Sequence, residues 1–133
     1  MADMRKTFAP RVDRSQLLLE PMATRYLLVG TCETRFAGIA KFLPDKVIYA
    51  FEHPTHRHVE MHMAYADMLN ARTSNAKGGG GEFCFRIGRE LEYFVREYNP
   101  EDAGHALRIG FASEVDYDRF RERVLPHVQG LAK

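Results

Sequence analysis

Four of the chain's six histidines fall in one ten-residue stretch, HPTHRHVEMH, running from His53 to His62. Imidazoles crowded in this way have two chemical uses. His53, His56, His58 and His62 can serve as ligands of a metal ion, or one ring can carry a phosphoryl group. The local backbone decides between these uses. On a strand, His58 and His62 stand about 13 Å apart at ~3.3 Å per residue, too far to share one zinc ion held at ~2.0 Å by each. On a helix the same two rings lie one turn apart and converge. A strand would leave only shallow sites, His58 with Glu60 or the turn residues His53 and His56.

The pattern favours the strand. Val59, Met61, Met63 and Tyr65 alternate with His58, Glu60, His62 and Ala64, which is the period of a half-buried strand. Wound as a helix, the segment would place His62 inside the apolar arc of Val59, Met63 and Ala66. The histidines are therefore expected on a solvated strand face and its turn, with no metal or other cofactor.

The neighbouring elements follow the same period. RYLLVGTC (25–32), FAGIAKFL (36–43) and KVIYAFE (46–52) are short apolar segments, the last rich in β-branched and aromatic residues. Pro44-Asp45 offers a tight turn between the second and third. His53 to His56 then turn a second hairpin, which pairs KVIYAFE with 57–65. RTSNAKGGGG (72–81) reads as the most flexible loop; it lacks the GK[ST] of a phosphate-binding loop, and no helix follows it. EFCFRIG, ELEYFVRE and HALRIGFA supply three further alternating segments. The inward sets are Phe83, Phe85 and Ile87, then Leu91, Tyr93 and Val95, then Leu107, Ile109 and Phe111.

The period changes after Ser113, where Ser113-Glu114-Val115-Asp116 has the form of a capping box. Tyr117, Phe120, Val124 and Val128 recur at helical spacing behind it, and Pro126 ends or kinks the helix. The expected fold is mainly β (α+β), a seven-stranded antiparallel sandwich or open barrel capped by a C-terminal helix. One domain is expected over 25–129, preceded by a partly ordered lead-in at 1–24 and followed by a tail at 130–133.

Composition narrows the partners. The 133 residues carry 19 basic and 18 acidic side chains, net charge +1, so no general nucleic-acid or membrane attraction is expected. The start, MADMRKTFAPRVDR, has no apolar core of a secretory signal. Cys32 and Cys84 are not a CxxC pair and read as two reduced thiols of an intracellular, soluble protein.

The order of elements over 25–129 resembles the pleckstrin-homology superfold. FLPDKVIYAFEHPTHRHVEMHMAYADMLNA, with its Tyr65-Ala66-Asp67-Met68 ending, is similar to a pattern of GRAM-like modules and of the transcription-linked branch. That branch includes domains of a TFIIH core subunit and of the histone chaperone FACT. The resemblance implies a non-enzymatic module that binds a protein or peptide. Two departures bear on the ligand. The chain lacks the tryptophan typical of the signalling branch's C-terminal helix, having none at all. Its first hairpin, GTCETRFAGIAK, offers Glu33 with only Arg35 and Lys41, so a phosphoinositide is the weaker inheritance.

Two sites compete for the function. Arg86, Arg96 and Arg108 are expected on the outer face of the last three strands, with Phe94 projecting among them. That patch suits an acidic peptide with an apolar anchor, although Glu90, Glu92 and Glu97 would partly neutralise it. The alternative is an enzyme. Glu60-Met61-His62, the GGGG run and His105 resemble the phosphohistidine phosphatases, which implies His62 as the phosphoryl acceptor and His105 as its downstream partner. Glu82 stands where that family has an arginine, the wrong charge for phosphate.

Overall fold

A computed structural model describes residues 16–32, 34–75 and 80–131. Glu33, most of the expected lead-in, the middle of the glycine-rich loop and the last two residues of the tail lie outside the described residues. The described residues form seven antiparallel strands and a broken C-terminal helix. The strands are β1 (Met22–Val29), β2 (Ile39–Phe42), β3 (Lys46–His53), β4 (Arg57–Ala64), β5 (Met68–Ser74), β6 (Glu82–Ile87) and β7 (Leu107–Phe111). Their order in the sheet is β4-β3-β2-β1-β7-β6-β5, curled into a half-barrel.

The curl depends on β1. Met22 and Ala23 pair with β2, whereas Thr24 to Val29 pair with β7, with an irregularity between Thr24 and Tyr26. A bulge of this kind bends a strand and increases its twist, so one strand can serve both halves. The expected domain boundary at residue 25 falls inside β1. Leu19 and Met22 ahead of it are buried in the core, and Leu18 N donates to Phe42 O at 2.8 Å.

The hairpin of β3 and β4 forms as the alternation predicts. Its register runs unbroken from Lys46 opposite Ala64 to His53 opposite Arg57. Val59, Met61 and Met63 are buried, while His58, Glu60 and His62 are exposed. Arg57 closes the turn in the left-handed region at φ 65°.

Three expectations are corrected. First, 72–74, expected to begin the flexible loop, complete a strand: β5 pairs with β6 from Met68 opposite Ile87 to Ser74 opposite Glu82. A break in register between Leu69 and Arg72, with Asn70 at φ 55°, spoils its alternation. Second, the two described glycines of the GGGG run answer to close packing. A Cβ on Gly81 would meet the Tyr117 ring at 2.2 Å, and Gly80 has φ +71°. Third, 90–97 is a series of turns and not a strand. Its buried residues are Leu91 and Phe94, with Tyr98 just beyond; Phe94 points into the core and Val95 is 61% exposed, the reverse of the strand reading for these two. Tyr98 explains where the sheet stops. Its hydroxyl accepts from Ile87 N at 2.7 Å and donates to Ile87 O at 2.5 Å, taking both backbone groups on the last residue of β6.

The helix starts as its capping sequence requires, with Ser113 Oγ accepting from Asp116 N at 3.1 Å. It breaks at Val124 into α1 (Glu114–Arg123) and α2 (Leu125–Leu131), where Pro126 supplies no backbone donor. Tyr117, Phe120, Val124 and Val128 are all buried. Phe120 fastens the helix to both halves of the sheet, its ring centroid 5.2 Å from Phe42, 4.8 Å from Phe83 and 4.9 Å from Phe111.

Candidate functional site

The arginine face is partly assembled. Register places Arg72 opposite Cys84 and Cys84 opposite Arg108, so the three form a row across β5, β6 and β7, with Arg86 two residues along the same face. Arg72, absent from the sequence reading, joins because β5 exists. The cations are already engaged. Arg108 Nη1 donates to Glu82 Oε1 at 2.8 Å, and Glu82 Oε2 accepts the Tyr26 hydroxyl at 2.7 Å. Burial and that carboxylate push the Tyr26 phenol up to about 12. Arg86 Nη2 donates to Pro100 O at 3.0 Å and to Asp102 O at 3.4 Å, tying the 99–104 loop to β6. Arg96 is exposed on the turns that replaced the expected strand, and Phe94 is withdrawn into the core at 1% exposure. The expected apolar anchor is therefore not on this face. Cys84 is buried within the row, and burial raises its thiol pKa.

The histidines are separated by the hairpin. His53 Nδ1 accepts from Thr55 N at 3.1 Å and from His56 N at 3.2 Å, so it caps its own turn and carries its proton on Nε2. His58 faces Glu52 at 3.1 Å and Glu60 at 3.6 Å, and the Glu52 hydrogen bond raises its pKa. His62 Nδ1 lies 3.2 Å from Lys46 Nζ. Among the described residues, no three His, Cys, Asp or Glu side chains are grouped to hold a metal ion. His105 is far from His62 in the sheet order, in the loop before β7, with Nδ1 accepting from Asn99 N at 2.9 Å. Glu82, in the place of the phosphatase arginine, is bound to Arg108 and Tyr26.

A third surface is built by tertiary packing. Among the described residues, β4 is the last strand of the sheet and pairs with β3 alone, so every second residue turns its N–H and C=O away from the pair. Beside that edge runs a groove of about 300 Å³, with Glu60 to Met63 on one side and Ile87 with residues 89–93 on the other. The outer wall is fixed at both ends. Arg89 Nη2 meets Asp67 Oδ2 at 3.3 Å, just beyond the end of β4. At the hairpin tip the His56 ring lies 5.1 Å from Tyr93, and the His53 ring 5.6 Å from Phe94. Between these pins, buried Met61, Met63, Ile87 and Leu91 line an apolar floor. The histidine turn thus serves as a clasp. The sequence signals for this groove are the uninterrupted alternation of β4 and its lack of proline or lysine.

Compared with known proteins, the chain matches no family model and no curated protein sequence. No helix among the described residues is long and apolar enough to cross a membrane.

Proposed function

We propose that the chain is a non-enzymatic binding module of the pleckstrin-homology-like type, and that it captures an extended segment of another protein along the free edge of β4. One observation carries this reading: an eight-residue strand in unbroken register is paired on one side only and flanked by a walled, apolar-floored groove. A peptide laid there would add main-chain hydrogen bonds to β4 and place alternate side chains on the groove floor. The opposite edge of the sheet is less suited. β5 is interrupted by its bulge at Asn70 and presents Arg72 and Ser74 to solvent.

The pleckstrin-like assignment draws support from the shared β1 and from the helix packed across the half-barrel through Phe120. A phosphoinositide is disfavoured because Arg35 already lies over the Tyr26 ring at 5.0 Å. An acidic peptide on the arginine face is disfavoured because Arg86 and Arg108 have partners and the apolar anchor is missing.

Panning a random peptide library of about ten residues, the length of a long strand, against the immobilised chain tests the proposal. Selected peptides should perturb the backbone amides of 58–64 and 87–93 in ¹H–¹⁵N spectra. Perturbations centred on Arg72, Arg86 and Arg108 would move the site to the outer face, and failure to enrich any sequence would end the reading.

A further inference from the structure

The groove beside β4 has a sign. Three carboxylates stand on its rim: Glu60 on the strand, and Glu90 and Glu92 on the opposite wall. Glu90 and Glu92 flank buried Leu91 and are themselves exposed, with no ion-pair partner among the described residues. The arginine in the lining and the lysine that touches it are committed elsewhere or set back. Arg89 is engaged by Asp67 at 3.3 Å, and Lys46, beside His62, lies on β3, one strand in from the edge. Among the described residues, the ion-pair partner of Glu60 is the exposed His58 ring at 3.6 Å. The wall that carries the two free carboxylates also carries Leu91 of the apolar floor between them, so charge and hydrophobicity alternate along it.

From this arrangement we infer that the occupant of the groove is a cationic extended segment in which Lys or Arg alternates with aliphatic residues; the inference rests on the strand-addition reading above. The period of a strand sends successive side chains to opposite faces. A segment added to β4 would bring one set down beside Met61, Met63 and Leu91 and hold the other set at the rim between Glu60 and the pair Glu90 and Glu92. Aliphatic residues suit the first set and cations the second. A segment with acidic residues at the rim would face three carboxylates of its own sign. A second copy of this chain is a poor occupant for the same reason, since its own β4 would bring another Glu60. Its fold would also have to pass the wall at 89–93.

The test uses three labelled peptides of about ten residues: alternating Lys and Val, alternating Glu and Val, and the Lys–Val composition in blocks. Binding is read by fluorescence anisotropy at low and physiological salt, and the site by amide shifts. The Lys–Val peptide should bind about tenfold tighter than the Glu–Val peptide at low salt, with shifts in 58–64. The doubly substituted E90Q/E92Q chain, altered only at exposed positions, should lose most of that preference. Equal binding of the Lys–Val and Glu–Val peptides at β4 would overturn the charge inference and leave strand addition standing. No binding by either alternating peptide would end both. Equal binding by the block and alternating Lys–Val peptides would reduce the effect to general electrostatics and overturn the inference.

Discussion

Phe94 sits in sequence between Tyr93 and Val95, and alternation alone gives those two neighbours to the core. In the fold Phe94 is the buried one, packed edge-on against Phe36 at 5.6 Å and near Phe51 at 6.1 Å. The consequence is a change of role from ligand contact to support. Phe94→Ala should lower the unfolding free energy in urea by about 3–5 kcal/mol, the range for a large aromatic removed from a packed site. Arg96→Ala, on the exposed side of the same turns, should change it by less than about 0.5 kcal/mol. An unchanged midpoint for the Phe94 variant would return the ring to the surface. The histidines illustrate the same point, because residue type suggested chemistry where placement gives structure. His53 caps a turn and His56 leans on Tyr93, so two of the four candidate ligands hold a loop in place.

At the scale of elements, Tyr98 decides where β6 ends. Ile87 follows the last β6–β7 pair, Phe85 with Leu107, and its N–H and C=O would need a further strand partner. A phenol eleven residues downstream supplies both bonds, and 90–97 is released from the sheet to wall the β4 groove. Tyr98→Phe should cost about 1–3 kcal/mol by stranding buried backbone groups. It should also speed amide exchange at Ile87 more than at Leu107 to Phe111. Equal protection at Ile87 in the variant and the parent would remove this explanation of the strand's end. The segment could not be read in sequence because Leu91, Phe94 and Tyr98 are spaced by three and four, a set that strand alternation conceals. β5 was hidden for the converse reason. Asn70 in the left-handed region breaks the alternation of MLNARTS, leaving a polar segment that resembles a loop.

Across the whole molecule, three tyrosine hydroxyls tie together residues that lie far apart in the sequence. Tyr49 donates to Phe36 O at 2.6 Å and lies 2.6 Å from Thr24 Oγ1; Tyr65 donates to Leu43 O at 2.8 Å; Tyr26 reaches Glu82. Burial pushes Tyr49 up to about 12, and it raises Tyr65 as well. An unfolded tyrosine loses its proton near 10 while the folded one keeps it, so the native state binds more protons above that pH. This stabilisation is fully present below pH 10 and is lost as pH rises through the folded values. Unfolding free energy should therefore fall between pH 10 and 12, by up to about 1.4 kcal/mol per pH unit for each such tyrosine. Tyr49→Phe should show a shallower fall in urea titrations across that range, and an identical slope would refute the linkage.

What the sequence determined by itself was local: the β3–β4 hairpin, the capped helix with its apolar stripe, and the mainly β class. Each rests on a period or a cap written in consecutive residues, which neighbours in the chain are sufficient to satisfy. What only the tertiary structure decided was the pairing of β1 with both β2 and β7, the place of β5, and the burial of Phe94. The groove between β4 and 89–93 belongs with these. Such features depend on which distant group satisfies a backbone bond or fills a space, as Tyr98 does for Ile87, and no spacing along the chain encodes that partner.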